Sequence, residues 1–120
     1  MEGIFPSNMG GIMNAVKEDV EKLIKKELES ANQKFPVFHS DYEGAAVIFE
    51  ETEEAESEMR GVNRHFASTW YSVKNNERIK AYSYINKLKN SAVNLACEAI
   101  QIAAMAQKFI DSQKEREKSE

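Results

Sequence analysis

Apolar and polar positions alternate along the chain with a period near 3.6, and the stretches that keep this period define its predicted elements. Met13, Val16, Val20, Leu23, Ile24, Leu28 and Ala31 recur at helical spacing. Lys17, Asp19, Glu21, Lys22, Lys25, Lys26 and Glu29 fill the opposite face. The pattern predicts an amphipathic first helix ending near Asn32, after a loose lead-in over residues 1–9. Gln33 to His39 contains Pro36 and reads as a connection. Ser40 followed by Glu43 has capping-box spacing, and Asp41 is a second candidate cap. A second helix is expected from there toward Gly61, with Tyr42, Ala45, Ala46, Phe49, Ala55, Met59 and Val62 as its apolar positions.

His65 to Val73 carries Phe66, Trp70 and Tyr71 and predicts a short third helix or an ordered loop. Asn75 and Asn76 mark a turn. From Glu77 to Gln113 there is neither Gly nor Pro. Ile79, Tyr82, Ile85, Leu88, Ala92, Leu95, Ala99, Ile102, Ala106 and Phe109 keep the helical period there. A straight helix of that length spans ~50 Å, whereas a compact domain of this size has a radius of gyration near ~14 Å. Either the helix breaks between Asn86 and Asn90, or it projects past its own domain and packs on a second copy. Lys114 to Glu120 is a charged tail expected to fray. The expected architecture is a single all-α domain over residues 1–120, a bundle of four to five helices.

Composition sharpens this picture. With 120 residues the chain is long enough for one core, and two prolines and five glycines leave long stretches without breakers. A net charge of −4 argues against nucleic acid as a partner. One cysteine, Cys97, excludes an internal disulfide and a structural zinc site; its Ala-rich surroundings predict a buried, inert thiol. No apolar run approaches the ~20 residues of a membrane span, and the first residues lack the basic and apolar regions of a signal peptide. The expected compartment is the cytosol, without a membrane partner.

The candidate chemistry lies in Ala45 to Met59, which reads AAVIFEETEEAESEM. On a helix Glu50, Glu54 and Glu58 are spaced i, i+4, i+8, and Glu51 and Glu54 i, i+3, so like charges stack along one stripe. Such pairs repel, and the repulsion grows beside a core. No Lys or Arg occupies positions 46, 47, 54, 55, 57 or 58, and Arg60 comes only near the end. A solvated acidic face is the plain reading of this segment alone. A site for a divalent cation is the other, and hard oxygen ligands suit Mg²⁺ or Mn²⁺. Glu98 and Gln101 form a second i, i+3 pair in the otherwise apolar run Ala92 to Ala106. Facing helices that each offer such a pair can surround one cation.

The stretches Asp-Tyr-Glu-Gly-Ala-Ala-Val-Ile-Phe-Glu-Glu-Thr-Glu-Glu and Ala-Cys-Glu-Ala-Ile-Gln-Ile-Ala-Ala-Met-Ala resemble the MazG-like branch of the all-α nucleoside triphosphate pyrophosphohydrolases. That superfamily carries Glu-Glu-x-x-Glu on one helix and Glu-x-x-Asp on a later one. The likeness spans roughly residues 39 to 110. It implies a helical bundle assembled as a dimer or tetramer, which cleaves nucleoside triphosphates to monophosphate and pyrophosphate with Mg²⁺. By position, Glu51 and Glu54 resemble the first ligand pair and Glu98 the third ligand, while Glu50 resembles a water-orienting base or additional ligand. Gln101 stands where the pattern has Asp; its amide oxygen can ligate a cation but brings no charge. The gap between Glu54 and Glu98 holds 43 residues, long for the family. The wording around Gln101 is similar to phage-associated members.

Several residues are weaker candidates beside plain surface or packing roles. Lys74, Arg78, Lys80 and Lys87 could hold phosphate, and Trp70 or Tyr71 could stack on a base. His39 and His65 lie outside any Glu-x-x-His, so the di-iron bundle signature is missing, and no Gly-x-x-x-x-Gly-Lys loop supports a P-loop route. The rival reading is a non-catalytic helical protein that serves as an interaction module or as a nucleotide or metal sensor.

Overall fold

A computed structural model describes residues 9–119, with side chains described for residues 16–118. The lead-in expected over residues 1–9 lies almost wholly outside this range. Three helices follow one another: α1 (Met9–Asn32), α2 (Asp41–Lys74) and α3 (Arg78–Ser119). The fold is all-α, but three long helices replace the four to five expected. The α2 helix runs unbroken through Gly61 and includes the aromatic segment expected as a short third helix or an ordered loop. The α3 helix does not break between Asn86 and Asn90. At ~1.5 Å per residue its 42 residues span ~63 Å, close to the longest dimension of the molecule, 65 × 31 × 22 Å.

Ser40 opens α2 as expected. Its backbone is extended, and its hydroxyl accepts the Glu43 N–H at 3.0 Å. The reciprocal half of the capping box is diverted, because the Glu43 carboxylate meets the His39 ring nitrogen Nδ1 at 3.2 Å. Asp41 is not a cap; its carboxylate binds Arg116 at 2.5 Å and accepts from the Gln113 amide, tying the start of α2 to the end of α3. At the other end, Asn76 adopts φ 55°, a left-handed conformation that Asn tolerates, and the Glu77 N–H bonds the Ser72 carbonyl at 2.9 Å.

The α2 and α3 helices therefore form a long antiparallel hairpin, and α1 packs on α3. The seam is narrow and largely polar. Gly44 and Gly61 are its close-approach points: a Cβ on Gly44 would meet Phe109 at 2.7 Å and Phe38 at 2.9 Å, and one on Gly61 would meet the Ser91 hydroxyl at 3.1 Å. Among the described residues, only Phe38 and Ala104 are buried apolar side chains, beside buried Thr69, Ser72, Lys108 and Ser112. Of the apolar positions expected on the second helix, Tyr42, Ala45, Ala46, Phe49 and Met59 are exposed while Ala55 and Val62 are half-buried, and Phe66 and Trp70 of the aromatic segment are exposed as well. Cys97 is exposed rather than buried, because position 97 falls off the stripe that meets α2. Among the described residues, no helix is long and apolar enough to cross a membrane.

Candidate metal centre

The hairpin geometry decides where the acidic stripe goes. Position 51 falls on the seam and position 54 at its edge, while antiparallel pairing sets position 98 opposite them. One carboxylate oxygen from each of Glu51, Glu54 and Glu98 lies within 4.8 Å of the other two. Octahedral Mg²⁺ with bonds of ~2.1 Å needs neighbouring ligand oxygens ~3 Å apart and opposite ones ~4.2 Å apart. On neighbouring positions, the three oxygens would close from at most 4.8 Å to ~3 Å to share such an ion. Its donors are all hard oxygens, which fit Mg²⁺ or Mn²⁺ rather than a softer metal.

The electrostatics of the cluster point the same way. Glu54 is held above the ordinary glutamate value of 4.5 by its hydrogen bond to Glu98, then by the charge of Glu98, with smaller contributions from desolvation and Glu50. Glu98 is raised first by desolvation at the seam, then by its hydrogen bond to Glu51. The Glu51 and Glu58 charges raise it further, while its hydrogen bond with Glu54 acts in the opposite direction. Three carboxylates this close favour a shared proton, and a divalent cation would take the proton's place.

Gln101 joins the same cluster. With the amide assigned so that its nitrogen faces the two acceptors, Gln101 donates to Glu51 Oε2 at 2.7 Å and to Glu98 Oε2 at 3.3 Å. For Gln101 to ligate a cation, the amide must turn its oxygen inward. Glu50 stands one turn from Glu54, exposed and near enough to raise it, but outside the triad of oxygens.

The remaining candidates sit elsewhere. Lys74, Arg78 and Lys80 cluster at the α2–α3 turn, ~27–30 Å along the helices from the triad, and Lys87 lies ~16 Å from Glu98. The Lys74 ammonium lies 5.7 Å from the centre of the Trp70 ring, Lys87 lies 5.6 Å from that of Tyr84, and Lys80 pairs with Glu77 at 2.8 Å. Tyr71 lines a cleft of about 430 Å³ at this turn with Ser68, Ser72, Glu77, Lys80 and Tyr84. Within one chain, neither these cations nor Trp70 and Tyr71 reach the carboxylates.

Two residues near the triad were not among the expected site residues. Glu58 is half-buried on the seam, and its charge bears on Glu98. Lys26 lines a cleft of about 420 Å³ between α1 and α3 together with Ser30, Cys97, Ile100 and Gln101. Glu58 was legible as the third member of the i, i+4, i+8 stripe. The position of Lys26 depends on which face of α3 receives α1, which one sequence does not disclose.

No family model, curated protein or solved structure matches this chain.

Proposed function

We propose that the chain is a Mg²⁺-dependent nucleoside triphosphate pyrophosphohydrolase, acting on a ribo- or deoxyribonucleotide. The observation that carries this reading is the meeting of Glu51 and Glu54 with Glu98, from two helices and across 43 intervening residues. The MazG-like wording of the two segments supports the same assignment. Triphosphate brings three to four negative charges into an acidic cleft, so a bound Mg²⁺ would supply the neutralising charge between carboxylates and phosphates. Glu51, Glu54 and Glu98 would hold it, and Gln101 would add a neutral oxygen. Glu50 then accepts the proton of the attacking water. The water oxygen bonds in line to phosphorus, and the bridging P–O bond to the pyrophosphate leaving group breaks. Lys26, which lines one cleft with Gln101, would meet a phosphate.

The assembly belongs to the proposal. The accessible surface of 9303 Å² exceeds the ~6,600 Å² of a compact monomer of this mass, and the aromatic stripe of α2 is uncovered. A homodimer or tetramer would cover that stripe. An antiparallel pair would also set the lysine-bearing turn of one copy toward the carboxylates of the other.

One observation favours a second reading. With its amide nitrogen assigned toward Glu51 and Glu98, Gln101 bridges them as a donor, which supports a non-catalytic helical protein, for interaction or for nucleotide or metal sensing. Pyrophosphate release across a panel of nucleotides, with Mg²⁺ and with Mn²⁺, separates the two. Release that disappears in Glu54→Ala supports the enzyme. Binding without release, or release unaffected by Glu54→Ala, contradicts it.

A further inference from the structure

A lysine is seldom buried without an anionic partner, because its ammonium loses hydration and gains nothing in return. Lys108 on α3 is 5% exposed. Its ammonium sits 4.8 Å from the centre of the Phe38 ring and makes no ion pair or side-chain hydrogen bond among the described residues. A cation–π contact offsets part of the lost hydration but supplies no acceptor for the three N–H groups.

The surroundings form a built pocket. Lys108 lines a cleft of about 390 Å³ whose wall includes Lys34, Phe35, Phe38, Met105 and the rim carboxylates Glu27 and Glu43. The floor is fixed: the Phe38 N–H donates to Ser112 Oγ at 2.9 Å, and Ser112 Oγ donates to the Lys108 carbonyl at 2.8 Å. Of the two carboxylates that line the cleft, Glu43 is engaged by His39.

We infer that this pocket binds a small oxyanion, a carboxylate or a phosphate monoester, carried on an apolar or aromatic body. Lys108 supplies a positive charge that opens onto the cleft, Lys34 supplies a second one in the wall, and Phe35 and Phe38 offer apolar surface to the body of the ligand. The two rim carboxylates disfavour highly charged anions such as free pyrophosphate. The inference stands on Lys108 and does not rest on the cation reading of the triad.

The test is a titration of the full chain, with methionine methyls labelled, by sodium benzoate and separately by phenyl phosphate. Ionic strength is held constant with sodium chloride. The Met105 methyl reports on the pocket. A saturable shift with either anion, weakened at least tenfold in Lys108→Met and retained in Lys108→Arg and in Glu54→Ala, is the expected result. The anion that saturates at the lower concentration identifies the preferred oxyanion. Shifts that stay linear to tens of millimolar for both anions overturn the inference, as does unchanged binding in Lys108→Met. If Lys108→Met does not fold, Lys108→Gln replaces it under the same criteria. Retained binding in Glu54→Ala also distinguishes this pocket from the triad, whose failure as a cation site would leave the result unaltered.

Discussion

The carboxylates of the triad make opposing demands at the scale of single residues. Glu54 and Glu98 are both held above the ordinary value of 4.5, so the folded chain binds more protons than the unfolded chain in the window that begins there. Stability from these groups is full below that value and falls as pH rises through the raised values. We expect the wild-type melting temperature in chelator to decline across this window, relative to Glu98→Gln, which removes the titration. A wild-type profile parallel to that of Glu98→Gln would contradict the shared-proton geometry. The same reasoning assigns Gln101. Replacing it with Asp adds a fourth negative charge, so Gln101→Asp should tighten Mg²⁺ binding on the order of tenfold, ~1.4 kcal/mol, and lower stability in chelator. Calorimetric titration that finds weaker or equal binding would show that the amide is not at the cation. The ligand identities were legible because i, i+3 and i+4 spacing fixes neighbours on one helix. The pocket around Lys108 was not, because its partner Phe38 arrives from a connection 70 residues earlier.

Elements were legible where their ends carry chemistry and illegible where a breaker is overruled. Ser40 and the Asn75–Asn76 turn were visible as stop and start signals. Gly61 looked like a helix end, yet it is buried inside α2 because α3 passes close to it. The two seam glycines should respond differently to alanine. At Gly44 the new methyl would meet two aromatic rings, and overpacking of ~1–3 kcal/mol outweighs a helix-propensity gain of ~1 kcal/mol. At Gly61 the neighbour is a small hydroxyl that can rotate, so the propensity gain prevails. Urea melts should show Gly44→Ala destabilised and Gly61→Ala unchanged or stabilised. Equal losses at both sites would mean that the seam is looser than the coordinates place it.

For the molecule as a whole, periodicity gave the helices and the hairpin gave their pairing, and the outward stripe of α2 is uncovered. The radius of gyration is 19.1 Å, against ~14 Å for a compact domain of this length. The longer of the two alternatives for the final helix, an unbroken rod extending beyond a compact domain, is the one realised. Tyr42, Phe49, Phe66 and Trp70 on one face are expected to associate with a second copy. Sedimentation equilibrium should give a dimer or tetramer at micromolar concentration, and Phe66→Asp should shift it toward monomer at least tenfold in concentration. A wild-type chain that stays monomeric at hundreds of micromolar would remove the assembly from the account. The triad forms within one chain, so its cation should survive that shift.

The central claim is that oxygens from α2 and α3 converge on one divalent cation, and direct Mn²⁺ titration followed by electron paramagnetic resonance tests it. We expect one ion per chain in the wild type, none in Glu54→Ala or Glu98→Ala at the same concentration, and a stability gain of ~2.7 kcal/mol at one hundred times the dissociation constant. No ion bound at millimolar Mn²⁺, or an equal number bound in all three proteins, would contradict it and leave the carboxylates as a hydrogen-bonded seam.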